Sequence, residues 1–185
     1  MLHAKDIAVD SLKFGTMFVV SQWLAGGSLM DGNWQKNSLF TILGFAAYQL
    51  STRTALSTKG LTGATKMVAD DLIKVGTMMI VSRLLSGGSL TDPNWFSASM
   101  ATLIGFFTYD IVTSKYIKGK DLTYNTKLQA VVDDWAKVGT MLIVSRLISC
   151  ESVADPKWLM SSIGVLLGFS VYNLGTSHII DKIFG

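Results

Sequence analysis

Few residues in this chain have the chemistry for catalysis. Of 185 residues, two are histidine (His3 and His178, near opposite ends) and one is cysteine, Cys150. A lone cysteine excludes an internal disulfide and a multi-cysteine zinc site. Two distant histidines leave little for metal ligation or acid–base work. A serine recurs at Ser21, Ser82 and Ser145, but it stands beside Gln22, Arg83 and Arg146, with no histidine in the same stretch. A serine inside a helix commonly bonds a backbone carbonyl instead. The paired carboxylates Asp70-Asp71 and Asp133-Asp134 fall where helices are expected to start, and read as partners of the helix dipole. The string Gly-Gly-Ser-Leu, at Gly26–Leu29 and Gly87–Leu90, closes a helix where a phosphate loop would open one and carry a following lysine. The expectation is therefore no catalytic, cofactor-binding or metal-ligating set, and no enzyme.

The elements that carry these residues are greasy. Apolar residues make up 49% and charged residues 16%, against about 25% charged in an ordinary soluble domain. This composition favours a protein in or on a membrane. A net charge of +3 is too small for a nucleic-acid surface, which shows as a basic stripe. Residues Met1 to Asp10 have no continuous apolar run ending in a cleavage site, so no cleavable signal peptide is expected.

Self-comparison gives the organisation. Residues 10–52, 71–113 and 134–176 align without a gap, and 15 of 43 columns are identical in all three. Among them are Asp10/Asp71/Asp134, Lys13/Lys74/Lys137, Asp31/Asp92/Asp155, Trp34/Trp95/Trp158, Gly44/Gly105/Gly168 and Tyr48/Tyr109/Tyr172. Each segment reads as a helical hairpin. A first helix, from about Asp71 to Ser86 in the second segment, starts with Asp71 and Lys74 in its first turn and stops at Gly87-Gly88. Asp31, Asp92 and Asp155 then cap the second helix, with Pro93 and Pro156 at its first position. Polar connectors, 53–70 and 114–133, hold Gly60, Gly63 and Gly119 and in part extend the flanking helices. The chain is thus expected to be a single all-α domain, 1–185. Three parallel hairpin repeats with six main helices are expected, about a pseudo-threefold axis or in a row, with both termini and both connectors on one side and the loops on the other.

The stretches free of formal charge are Phe14–Met30, Asn37–Thr52, Trp95–Tyr109 and Leu159–Ser177. They sit at the lower limit of a membrane span, about 17 residues. Trp at the start of each second helix and Tyr fourteen residues on, about 21 Å away at 1.5 Å per residue, resemble an interfacial aromatic belt. Of 16 Lys and Arg, 12 fall on the termini-and-connector side. The positive-inside rule places that side in the cytoplasm. Arg83 and Arg146 lie about one turn from the end of their helices, where they are expected to reach the interface or pair with Asp92 and Asp155. A polar pathway or a ligand contact is the competing role for them. Gly164 and Gly168 form a GxxxG, Ala101 and Gly105 a small-xxx-small pair. These, with Gly15, Gly76 and Gly139 early in the first helices, would let helices approach closely in lipid.

The strings Val75–Leu84, Gly87–Trp95, Leu43–Tyr48 and Leu167–Tyr172 resemble small membrane proteins encoded by large icosahedral double-stranded DNA viruses. The resemblance implies a virion component, a minor capsid protein in the internal membrane that ties it to the capsid shell. Expected partners are the lipid bilayer, capsid or other membrane proteins and further copies of the chain, with no nucleic acid and no cofactor. Cys150-Glu151 and Gln22 depart from the shared string. Two alternatives stand beside this reading: a small multi-span transporter or channel, in which Gln22, Arg83, Asp110 and Arg146 would be the polar residues of the spans, and a soluble helical adaptor.

Overall fold

The computed structural model describes residues 2–56, 58–117 and 125–184. All regular structure among them is helical. There are six long helices: α1 Leu2–Leu24, α2 Gly32–Ala47, α3 Gly63–Leu85, α4 Pro93–Thr108, α5 Thr126–Ile148 and α6 Pro156–Val171. The sequence explains where α2, α4 and α6 begin. The side chains of Asp31, Asp92 and Asp155 accept hydrogen bonds from Asn33 and Trp34, Asn94 and Trp95, and Lys157 and Trp158 N–H, satisfying donors that a helix start leaves open. The first helices end on a left-handed residue, Gly26 (φ 71°), Gly87 (φ 75°) and Cys150 (φ 55°). The next N–H bonds back to Gln22, Arg83 and Arg146 C=O respectively, as in a glycine-type helix stop.

The connectors extend the flanking helices, as expected, and the first helices start well before the aspartates, α1 at Leu2. Helix α3 begins at Gly63 and α5 at Thr126, so Asp71 and Asp134 are two turns or more inside their helices. Neither is a first-turn residue or a dipole partner. The connectors supply those extra turns, with Asn125 capping α5. Gly119 lies outside the described residues. Each second helix also runs on through a widened π turn, Tyr48–Thr52, Tyr109–Thr113 and Tyr172–Thr176, into a further α turn or two. The fourth and sixth helices thereby extend over Pro93–Ile117 and Pro156–Phe184, and both are long and apolar enough to cross a membrane.

The most extensive packing joins the second helix of one segment to the first helix of the next: α2 on α3, α4 on α5, and α6 back on α1. Glycine makes these joints. A Cβ on Gly44 would come within 2.6 Å of Met78 O, one on Gly105 within 2.7 Å of Met141 O, and one on Gly168 within 2.5 Å of Met17 Cα. Gly164, one turn before Gly168, lies against Ser21. Gly15, Gly76 and Gly139 do not serve this purpose: nothing lies within 4 Å of a Cβ on the last two, and Ile42 is 3.9 Å from one on Gly15.

The buried apolar core is small. Met17, Phe45, Val75, Val138 and Phe169 belong to it. Large apolar side chains such as Val19, Leu39, Ile80, Phe96, Ile104, Ile143 and Ile163 point outward.

Candidate functional site

Among the described residues, the ionised groups that converge from all three segments are the aspartate and lysine of the identical columns. They do not pair along their own helix. Lys13 Nζ lies 2.7 Å from Asp134 Oδ1 and Lys74 Nζ 2.8 Å from Asp10 Oδ1. Lys137 Nζ is 2.8 Å from Asp71 Oδ1 and 2.6 Å from Oδ2. Lys74 and Lys137 thus reach into the segment before their own, and the Lys13–Asp134 pair closes the loop between the first segment and the last. The aspartates are largely buried and the lysines about one-third exposed or less.

The same lysines lie over aromatic rings of the segments they reach into. Lys13 stands 5.2 Å from the Phe169 centroid and 5.9 Å from that of Tyr172. Lys74 stands over Phe45 and Tyr48, and Lys137 over Phe106 and Tyr109. A cation is drawn to the face of an aromatic ring. Tyr109 and Tyr172 are therefore buried beneath the ring of charges. They are not the outer half of an aromatic belt, as the spacing from the tryptophans implied.

The π turns bring a third set of groups. Gln49 Nε2 donates to Asp10 Oδ2 at 2.8 Å, and Asn173 Nδ2 to Asp134 Oδ2 at 2.7 Å. Asp110, 1% exposed, holds the matching place in the second segment. Arg53 Nη1 donates to Gln49 Oε1 at 2.8 Å and also pairs with Asp6. Buried charge is tolerable only where its hydrogen-bonding capacity is filled. Here lysine and amide share the carboxylate oxygens of Asp10 and Asp134. Threonines of identical columns touch at two of the same joints, Thr16 with Thr176 and Thr140 with Thr113.

Beneath the ring lies a chamber of about 530 Å³. Its walls come in tiers: Phe14, Val75 and Val138, then Met17, Met78 and Met141 with Phe45, Phe106 and Phe169, then Thr41, Thr102 and Val165. Phe14 breaks the equivalence. It stacks on Phe45 with centroids 3.9 Å apart and meets Phe169 edge-on at 5.9 Å. The second and third segments carry the smaller Val75 and Val138 in its place.

The expected structural residues at the other end form a separate set. Arg83 Nη2 lies 2.7 Å from Asp92 Oδ2 and Arg146 Nη2 3.3 Å from Asp155 Oδ2. Arg146 also pairs with Glu151. The guanidinium groups stand 5.8 Å from the Trp95 ring centroid and 5.7 Å from that of Trp158. Arg83 Nε and Arg146 Nε donate to Ser89 and Ser152 C=O, and Gln22 Nε2 donates to Ser28 C=O in the same way. Gln22 therefore keeps the backbone bond and lacks the ion pair. Backbone N–H groups at the helix start, Asn94 first for Asp92 and Trp158 first for Asp155, hold both carboxyls below the usual range, with the arginines adding to it. Ser21, Ser82 and Ser145 bond the carbonyls of Phe18, Met79 and Leu142. Asp70 accepts from Lys66 and Thr58, and Asp133 from Gln129. Cys150 is exposed.

No histidine, nucleophile or open coordination set joins the ring, and no group of three metal-ligating side chains occurs among the described residues. What the ring does chemically is hold three segments together by charge. The sequence put Asp71 and Lys74 together as neighbours and missed their true partners. The signal was present: aspartate, lysine, phenylalanine and tyrosine are all identical columns, and all four meet at the joints. No protein-family model, curated protein or solved structure matches the chain.

Proposed function

We propose that the chain is a structural membrane protein: three helical hairpins set as parallel repeats around one axis, with lipid tails on their outer faces. The observation that carries this reading is the direction of the side chains. Helices α1, α3 and α5 have apolar residues spread around them, with no single apolar stripe. The second helices Pro93–Ile117 and Pro156–Phe184 are long and apolar enough to cross a membrane, with only a third of each apolar window buried, and large apolar side chains on first and second helices alike face outward. In the middle of these helices Lys13, Lys74 and Lys137 turn inward to the ring, while Lys5, Lys66 and Lys127 stand exposed near the connector-side starts. From Lys74 to Arg83 is only about 14 Å at 1.5 Å per residue. The outward apolar surface runs past the ring on the connector side, through Leu72, Leu128 and Trp135, so it is longer than that distance. Arg83 and Arg146, paired in the loops, are placed to meet the headgroups.

Within that reading the chain is a virion component of an internal membrane, with termini and connectors on the cytoplasmic-type side and a capsid shell as the partner it ties to the bilayer. The recurring strings resembling viral membrane proteins support this. Membrane flotation followed by alkaline extraction is the test. The chain is expected to float and to stay with the membrane pellet; recovery in the aqueous phase overturns the membrane half. Stripping lipid from virions with detergent tests the rest: the chain is expected to leave with the lipid or span both fractions, and retention wholly in a lipid-free shell rejects it. Ion flux in liposomes, changed by Arg83→Gln and Arg146→Gln, would favour the channel.

A further inference from the structure

We propose that the chamber beneath the Lys–Asp ring is a binding site for one unbranched alkyl chain. The space is about 530 Å³, within the size of small-molecule sites. Away from the ring the lining is mostly apolar and offers water few of the two to four polar partners it needs. The polar groups here are the ring, whose ammonium and carboxylate groups already bond one another, and the hydroxyls of Thr41 and Thr102, which donate to Asn37 and Ala98 C=O. Empty apolar space costs stability in proportion to its volume, so an apolar occupant is favoured. The length of the chamber suits a run of methylenes lying along the helices. The tiers extend along α1 from Asp10 to Phe18, about 12 Å at 1.5 Å per residue. Methionines of all three segments line the middle, and their flexible thioethers adapt to a mobile chain.

Each lysine of the ring is already paired with an aspartate, so the ring gives an anionic headgroup no unpaired ammonium; recognition is of the hydrocarbon and the polar end stays outside. Room for the chain comes from one difference between the segments. Phe14 fills its tier in the first segment, while Val75 and Val138 leave theirs open. The inference rests on the membrane reading only for the supply of alkyl chains.

The test is photolabelling of the full chain with palmitic acid carrying a terminal diazirine. A parallel sample in nanodiscs uses phosphatidylcholine bearing the same chain, and adducts are mapped by peptide mass spectrometry. Adducts on Met78, Met141, Val75 or Val138 are expected. Labelling from the free acid, the phospholipid or both identifies the source. Adducts confined to the outward Ile80, Ile104 and Ile143 in both samples overturn the proposal. Val75→Phe with Val138→Phe, which copies the first segment, is expected to lower inward labelling by about tenfold and leave outward labelling unchanged; undiminished inward labelling in the folded variant overturns the site. If that variant does not fold, the wild-type map decides. Inward labelling by the free acid in a chain that fails to float would keep the chamber and reject the membrane role. Flotation without inward labelling would do the reverse.

Discussion

The two ends of the helical bundle use the same kinds of ion pair for different jobs. At the loop end, Arg83 and Arg146 pair with Asp92 and Asp155, nine residues away in the same hairpin. At the connector end, Lys13, Lys74 and Lys137 pair with aspartates 121, 64 and 66 residues away. The first set shapes a turn, and the second holds three segments in register. The surroundings differ accordingly. The loop carboxylates stand in solvent, where an ion pair adds little, while the ring carboxylates are buried, where losing a partner is costly.

The comparison is broken most strongly at the joints. Gly105→Ala would force a methyl group into the backbone of Met141. A loss of about 3 kcal/mol is expected, at the upper end for overpacking, measured as the midpoint of unfolding in mixed micelles. Gly76→Ala, where a Cβ meets nothing, is the matched control and should be neutral or slightly stabilising. Next in size is Lys74→Met, which strands Asp10. A loss of about 2 kcal/mol is expected, below the 3–5 typical of a fully buried pair because Lys74 is partly exposed. A cycle with Asp10→Asn should show strong coupling between the two sites.

Smaller effects sharpen the loop end. Cys150→Gly relieves a left-handed backbone at a residue with a side chain, and a gain of about 1 kcal/mol is expected. Smallest is Arg83→Gln, which copies the first segment and keeps the bond to Ser89. A loss of about 0.5 kcal/mol is expected, read from the same unfolding midpoint. The loop pairs also carry an acid limb. The carboxyls of Asp92 and Asp155 are lowered by their cap bonds, so their contribution is complete above the unfolded value of about 3.9. It is lost as pH falls through the lower folded value. Asp92→Asn should flatten that part of an acid titration followed by near-ultraviolet circular dichroism.

How far the sequence could be read follows the same division. The caps at Asp31, Asp92 and Asp155, the helix stops at Gly87-Gly88 and the Arg–Asp proximity are local, and residues within one hairpin reveal them. The ring is not local. Asp71 and Lys74 stand three apart, a spacing that fits a pair within one helix, and only the fold sends the lysine to Asp10. The tyrosines misled for a related reason. Their distance from Trp95 and Trp158 suits a belt, but the π turns and the lysines above them draw Tyr109 and Tyr172 inside. Gly44, Gly105 and Gly168 were legible as packing residues, whereas Gly15, Gly76 and Gly139 recur just as faithfully and touch almost nothing. Helix starts moved because the connectors hold good helix formers such as Ala64, Lys66 and Met67.

The closure of α6 onto α1 carries one more consequence. The joint that brings the chain ends together is built from the same glycine, methionine, lysine and aspartate as the joints spanned by connectors. The fold therefore does not depend on which hairpin is translated first. A circular permutant opened in the first connector, with the old ends spliced by a short linker, should assemble the same closed bundle, and three unlinked hairpins expressed from separate genes retain every contact needed to find one another.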